Sequence, residues 1–256
     1  EAGETYGLDY DVVDDMKSIR PELKNNITYE IENEEVAVIE NGAVKGISQG
    51  TTRMVVRYGS LVKYVGINVY SESENLIEPT PGMVITENVK FIPGEYDFSG
   101  SIGIIIGADD IVVDGNGAVI RHSGGFGGTG IYLEGRKNVT IKNINIHGFN
   151  TGIHVNGGEN LLIEYCDFSD NFNDMSAGWF VEYPYGATML FNMNNSTIRY
   201  CNGNNVWNGL NLEKSNSNNI YNNDFSVCGN VAMKLWGASF NRIYDNIFSW
   251  GLRMDP

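Results

Sequence analysis

A short pattern of inward and outward residues repeats six times between residue 131 and the end of the chain. Each copy has an apolar residue or a threonine at its first position and an apolar residue at its third, as in Ile131-Tyr132-Leu133-Glu134. Side chains that alternate in this way predict a β-strand with one buried face. The six copies are residues 131–134, 153–156, 188–191, 210–213, 233–236 and 252–255.

A second apolar phrase follows each of the first five copies after roughly eight residues, and the whole unit repeats with a period of about 22 residues. The second phrases begin at Ile141, Ile163, Ile198, Ile220 and Ile243. A period of this length without helical periodicity predicts a solenoid, in which each coil buries its apolar face by stacking on its neighbours. A leucine-rich repeat does not fit, because the stretch after each first strand is rich in Asn and Gly and returns to a second strand. We therefore predict an all-β fold based on a right-handed parallel β-helix.

The residue three positions after each second anchor predicts how the interior is filled. In chain order these positions hold Ile144, Cys166, Cys201, Asn223 and Asn246. We expect Asn223 and Asn246 to form an internal asparagine ladder, in which each amide bonds to the backbone. Cys166 and Cys201 are expected in adjacent coils, with Cα atoms about 4.8 Å apart. Parallel stacking points both Cβ atoms the same way, so we predict two buried free thiols rather than a disulfide.

The first part of the chain follows a different pattern. Between Ile27 and Val69, strand-like runs alternate with turns, and Asn41-Gly42 is a strong hairpin signal between two apolar runs. This predicts a small β-sandwich over residues 1–72, a linker over 73–84 and the β-helix over 85–256.

Three phrases in this first part resemble the bacterial group-2 immunoglobulin-like domain (BIG2). They are residues 36–39, 41–47 and 50–52. In this resemblance Gly3-Glu4-Thr5 corresponds to the turn after the family's first strand, which implies a truncated domain. The family implies surface display or spacing, occasionally adhesion, and no catalysis.

The phrase Ile-Val-Val-Asp-Gly-Asn-Gly-Ala-Val-Ile at residues 111–120 resembles the opening of right-handed parallel β-helix proteins that act on polysaccharides. It also resembles the NosD-like β-helices of periplasmic metal-centre maturation. The first resemblance implies a carbohydrate-active protein that is secreted by a bacterium and acts outside the cell or at its surface. The phrase is specific for the fold and much less specific for the activity.

Charge and composition exclude several partners. A formal net charge of −15 argues against nucleic acid and against anionic membrane surfaces. The sequence has no run of 18 apolar residues, which argues against membrane insertion. We predict no cofactor and no metal, because the three histidines are dispersed and no Cys/His spacing of the zinc kind occurs. Calcium between Asp167, Asp170 and Asp174 is an alternative that we do not adopt, since Asp/Asn-rich turns usually serve only as turns.

The outward-facing residues of the six copies form the candidate site, here called the outward row. Carboxylates, cations, amides and large aromatics in one row suit a sugar-binding cleft, where apolar sugar faces stack and hydroxyls are hydrogen-bonded. A plain solvated face with ladder pairing of charges is the alternative. The first column holds Tyr132, His154, Met189, Asn211, Lys234 and Arg253, and the second holds Glu134, Asn156, Phe191, Glu213, Trp236 and Asp255.

A glycoside hydrolase bound to a glycan along this row is the function that we predict. Hydrolysis needs two carboxylates, and we assign Glu213 as general acid or base with Asp255 as its partner, about 10 Å away at Cα. Lys234 and His154 complete the predicted catalytic set. The predicted substrate-binding residues are Trp236, Asn211, Arg253, Tyr132, Trp207, Trp179 and Tyr183.

Two other functions stay open. A polysaccharide lyase or epimerase would take its base and its charge neutraliser from Lys234, Arg253, His154 and Asn211. A non-catalytic surface protein would use the same row only to bind glycans or to adhere.

The last copy of the pattern leads to an expectation about partners. Residues 252–255 match the start of a further coil, and the sequence ends at Pro256. An open solenoid end exposes unpaired backbone and apolar core. We therefore expect further sequence or another chain to cover this end.

Overall fold

A computed structural model of the chain describes residues 3, 5–7, 26–69, 76–99, 102–174 and 185–250. The chain divides into two compact units, residues 1–74 and 75–256. No helix that is long and apolar enough to cross a membrane occurs within these described ranges.

The first unit is a pair of three-stranded antiparallel sheets that share one small core. One sheet has the order β1-β4-β3 and the other β2-β5-β6. The buried residues of this core are Ile31, Val36, Ala37, Met54 and Val69. The strands are β1 (Thr5–Gly7), β2 (Ile27–Ile31), β3 (Ala37–Glu40), β4 (Ala43–Gly46), β5 (Gly50–Tyr58) and β6 (Leu61–Val69).

The hairpin signal in this unit is confirmed. Asn41 and Gly42 join β3 to β4 with φ angles of 52° and 75°. Positive φ at both central residues is what a tight turn between antiparallel strands requires. The assignment of residues 3–5 to a turn is wrong at Thr5, because Thr5–Gly7 form a strand paired antiparallel with Ala43–Lys45. The immunoglobulin-like resemblance itself stays a prediction.

The second unit is a parallel β-helix. Each coil contributes a strand to a first sheet and then a shorter strand to a second sheet, and some coils add a third strand. The strands are β7 (Met83–Ile85), β8 (Val89–Lys90), β9 (Glu95–Asp97), β10 (Ile102–Ile106), β11 (Val112–Asp114), β12 (Val119–Arg121), β13 (Gly127–Lys137), β14 (Thr140–Lys142), β15 (Asn145–His147), β16 (Phe149–Glu159), β17 (Leu162–Glu164), β18 (Gly186–Asn194), β19 (Thr197–Arg199), β20 (Asn208–Glu213), β21 (Asn219–Tyr221), β22 (Asp224–Cys228), β23 (Val231–Trp236), β24 (Arg242–Tyr244) and β25 (Ile247–Trp250).

Two seven-stranded parallel sheets run along the β-helix. The front sheet has the order β23-β20-β18-β16-β13-β10-β7, and the back sheet has the order β24-β21-β19-β17-β14-β11-β8. The third face consists of β15-β12-β9 and the pair β22-β25. Like residues therefore stack from coil to coil, as predicted from the repeat.

The front sheet keeps one register, which fixes the direction of every side chain on it. Ile131 lies opposite Ile153, and Leu190 lies opposite Leu212. All four are buried in the central core. On β23, by contrast, Met233 and Leu235 are exposed, since β23 is the edge of this sheet in the described chain. Side chains alternate along each strand, so the residues between the inward-facing positions point outward.

The predicted asparagine ladder is confirmed. The Asn223 side-chain amide donates to the Ile198 carbonyl and to the Asn246 Oδ1, and the Asn223 Oδ1 accepts from the Cys201 backbone N–H. Asn246 in turn donates to the Ile220 carbonyl. The ladder provides hydrogen-bond partners for backbone groups at the bends. Without it these groups would be unsatisfied inside an apolar core.

The two stacked cysteines are free thiols, as predicted. Cys166 and Cys201 are both buried and unoxidised, and each Sγ donates to a backbone carbonyl, Cys166 to Glu164 and Cys201 to Arg199. Burial raises the pKa of the Cys166 thiol well above its ordinary value. The thiol is therefore protonated at neutral pH and serves as a small packing group rather than as a nucleophile.

Residues in the left-handed backbone conformation recur at the bends, and one of them is of a type that rarely adopts this conformation. Asn is the commonest non-glycine residue with positive φ, but Val227 has a φ of 56° and is exposed. A β-branched side chain in this region of φ is strained, while Asn tolerates the left-handed conformation.

We expect Val227→Asn to raise the free energy of unfolding by about 1 kcal/mol, measured by chemical denaturation. The Val227 N–H, which donates to Ser249 Oγ, is unchanged by the substitution. A lower free energy of unfolding would show that packing of the Val227 side chain stabilises the fold by more than the backbone strain at this residue destabilises it.

Candidate functional site

The outward row has the two predicted columns on the front sheet. In the first column Tyr132 lies opposite His154, His154 opposite Met189, and Asn211 opposite Lys234. The second column runs through Glu134, Asn156, Phe191, Glu213 and Trp236 in the same way. The register therefore brings most of the predicted residues onto one face of β13, β16, β18, β20 and β23.

One end of the row holds a hydrogen-bonded cluster around Glu134. The Tyr132 hydroxyl donates to one Glu134 oxygen at 3.0 Å, and the Asn156 amide donates to the other at 3.2 Å. The His154 ring lies edge-on between Tyr132 and Phe191, with centroid distances of 5.3 and 5.7 Å. A carboxylate, a phenol, an imidazole and an amide thus meet across two adjacent coils.

Burial sets the protonation of this cluster. It lowers the pKa of His154, and the nearby Glu134 carboxylate acts in the opposite direction to a smaller extent. His154 is therefore neutral at pH 7, since its ordinary value is about 6.5. The pKa of Tyr132 is raised by burial and by its hydrogen bond to Glu134. At neutral pH the cluster accordingly combines a neutral base with a protonated phenol.

The other end of the row presents an exposed aromatic ring beside a carboxylate. Trp236 is 63% exposed and lies directly opposite the half-buried Glu213. The Lys234 ammonium group sits 5.3 Å from the centre of the Trp236 ring. Lys234 and Glu213 form no salt bridge in the described part of the chain, so the Lys234 cation is directed to the indole.

Two of the predicted substrate-binding residues are buried. Trp207 is fully buried, and a Cβ at Gly229 would approach its ring to 2.6 Å, so only glycine fits there. Trp207 is therefore a packing residue of the bend before β20, and the prediction that it contacts sugar is wrong for this structure. Asn211 does face outward, yet it is 1% exposed. Four further predicted residues, Trp179, Tyr183, Arg253 and Asp255, lie outside the described residues.

The comparison with known families decides the class of the protein. A family model described as a right handed beta helix region matches residues 82–248. This chain belongs to that family. The match covers the first five of the six copies that carry the outward row, and it agrees with the predicted all-β, right-handed fold. A search of curated proteins found no match, and neither did a search of solved structures.

Two of the three aspartates considered for calcium, Asp167 and Asp170, act as turn residues in this right-handed β-helix. Asp167 accepts from the Ser169 N–H at 2.9 Å, and Asp170 accepts from the Asn205 amide. Within the described ranges no group of three or more His, Cys, Asp or Glu side chains could hold a metal ion. These acidic side chains stabilise bends by bonding to donors nearby.

Sequence reasoning missed the importance of Glu134 and Asn156. Both were placed in the second column, but neither was selected as a functional residue. The available signal was their position: each lies two residues after a member of the first column, and the two are one coil apart. Side chains at that spacing on a parallel sheet are near enough to bond.

Proposed function

We propose that this β-helix is a carbohydrate-active protein that binds a glycan along the outward row and hydrolyses it. The observation that supports the proposal best is the exposed Trp236 ring beside Glu213, with Lys234 over one side of the ring. An exposed indole provides a platform for the apolar face of a sugar, and the neighbouring carboxylate is within reach of the bound ring.

Glu213 is the proposed general acid or base. Its position opposite Trp236 places the carboxyl group beside a sugar that stacks on the indole, where it can give a proton to the bound glycan or take one from it. Glu134, the other carboxylate of the described row, is three coils away, about 14 Å at Cα. That distance exceeds what hydrolysis needs, so Asp255 remains the proposed second carboxylate.

Cleavage by a lyase, or epimerisation, is the second candidate, and the cluster at the other end of the row favours it. Both reactions begin when a base removes the proton beside a uronate carboxyl group. His154 is a neutral base at pH 7, and the protonated Tyr132 next to it is a candidate acid. Lyase products carry a new double bond that absorbs ultraviolet light, while hydrolase products do not, so one assay separates the two reactions.

The decisive experiment is turnover of the purified protein on a panel of neutral and uronate polysaccharides and host glycans. Release of reducing ends without new ultraviolet absorbance supports the hydrolase. New absorbance supports the lyase, and a change in sugar composition without cleavage supports the epimerase. Binding without any product supports a non-catalytic surface protein, and absence of binding contradicts the whole proposal. An extracellular or cell-surface location in a bacterium is part of the proposal.

Replacement of Trp236 by alanine is expected to weaken glycan binding by about 1–3 kcal/mol, because the substitution removes the aromatic platform. Calorimetric titration with a glycan that the parent binds provides the measurement. Phe240→Ala is the matched control, since Phe240 is 88% exposed in the bend just after β23 and is not part of the row. Equal affinity of Trp236→Ala and the parent would remove Trp236 from the binding site.

A further inference from the structure

Asn211 is the buried polar side chain of the outward row that has no hydrogen-bond partner. It is 1% exposed, and neither its Oδ1 nor its Nδ2 is hydrogen-bonded to any part of the chain that the structure describes. Its backbone N–H, in contrast to the side-chain amide, is satisfied, since it donates to Thr188 Oγ1 at 3.1 Å. Buried amides normally pair, since an unpaired one loses its water without compensation.

The other buried asparagines of the β-helix show what this position lacks. Asn218 is equally buried, yet its Oδ1 accepts from the Ser196 N–H and its Nδ2 donates to the Met193 carbonyl and to Asn241 Oδ1. Asn218 faces the interior, where it satisfies backbone groups. Asn211 alternates with the buried Leu210 and Leu212 and therefore faces the side of the front sheet that carries the row. A structural role in the interior does not explain its amide.

We infer that Asn211 determines specificity in the proposed glycan site by binding two neighbouring hydroxyl groups of a neutral sugar. This inference rests on the proposed function. One hydroxyl donates to Oδ1 and the other accepts from Nδ2, which fills both unpaired atoms at once. Neighbouring hydroxyls occur on neutral and uronate rings alike, but the formal net charge of −15 disfavours binding of a polyanion, so we assign a neutral sugar.

The position of Asn211 supports this assignment. It lies in the column between Met189 on one coil and Lys234 on the next, and Glu213 and Trp236 follow in the second column. Met189 is buried and its Sδ accepts a hydrogen bond from Thr151. Lys234 is long, unbranched and only partly buried, so a change of its rotamer can open the Asn211 amide to a ligand. A sugar stacked on Trp236 is then one coil from the Asn211 amide, so both groups contact the same glycan chain.

Stability gives the first test, and it needs no ligand. Asn211→Leu replaces an unsatisfied amide with an apolar group of similar size, so its Tm is expected to rise by a few degrees. Asn218→Leu is the matched control, and its Tm is expected to fall, because it leaves the Ser196 N–H unpaired and removes one of the donors to the Met193 carbonyl. A fall in Tm for Asn211→Leu comparable to that of Asn218→Leu would overturn the inference, since it would show that the Asn211 amide has a structural partner.

Binding gives the second test, with galactan, xylan and mannan as neutral probes and polygalacturonate as the uronate probe. For a neutral probe that the parent binds, Asn211→Leu is expected to weaken affinity at least tenfold. Asn211→Asp is expected to keep most of it, since a carboxylate accepts from both hydroxyls. Unchanged affinity of Asn211→Leu for that probe would overturn the inference and leave the proposed function standing. A parent that binds only polygalacturonate overturns the inference alone, and a parent that binds none of the four probes and no other glycan of the wider panel overturns both.

Discussion

Replacement of Glu213 by glutamine is expected to lower the rate of glycan cleavage by about 10²–10⁴-fold, with little change in binding or in Tm. Glutamine has nearly the same shape as glutamate but neither gives nor takes a proton at neutral pH. The fold should tolerate it, because Glu213 forms no salt bridge in the described part of the chain and faces outward on β20. Steady-state rates on a substrate that the parent cleaves provide the measurement, and calorimetric titration of the same glycan checks binding.

Glu134→Gln is the matched control for this experiment. Glu134 is a carboxylate of the same column, but both of its oxygens are already held, one by Tyr132 and the other by Asn156. In a hydrolase centred on Glu213 the control retains most of its rate. The opposite ranking, with Glu134→Gln inactive and Glu213→Gln close to the parent, would move the chemistry to the His154 cluster and favour the lyase or epimerase.

The architecture of the β-helix was predictable because the repeat is redundant. Each coil restates the same two anchors, so Ile131, Ile153 and Leu210 independently indicate the same buried column. The register of the front sheet is the same on both sides of the insertion before Gly186, because the phrase that starts at Thr188 fits the pattern again. Period-2 alternation then assigns every residue between the anchors to the outer face, and this is why both columns of the row were predicted.

Burial at the site was less predictable, because it depends on bends and rotamers rather than on the period. Trp207 was assigned to the surface since it precedes a strand of the row, but it packs against Gly229 of the following bend. Asn211 was correctly assigned to the outer face, yet its burial follows from neighbours whose conformations the period does not specify. The bonds of Glu134 with Tyr132 and Asn156 likewise arise from side-chain rotamers.

Replacement of Asn223 by leucine is expected to lower the free energy of unfolding by about 3–5 kcal/mol, because each buried backbone group left unpaired costs about 1–3 kcal/mol. The substitution removes the partners of the Cys201 N–H and the Ile198 carbonyl, and it also breaks the bond to Asn246 in the next coil. Chemical denaturation of the variant and the parent provides the measurement.

Asn219→Leu is the matched control, because Asn219 stands in the same strand region but at an outer register position. In that column Asn219 lies opposite Thr197, and Thr197 lies opposite Leu162, so the β-helix already holds a leucine there. The control is expected to change stability by less than about 0.5 kcal/mol, as surface substitutions usually do. If Asn223→Leu were no more destabilising than Asn219→Leu, hydrogen bonding by the ladder would not be what holds these bends. Stacking of the apolar columns alone would then account for the stability of each coil. The outward row would in that case be held in place by the apolar core rather than by the asparagines.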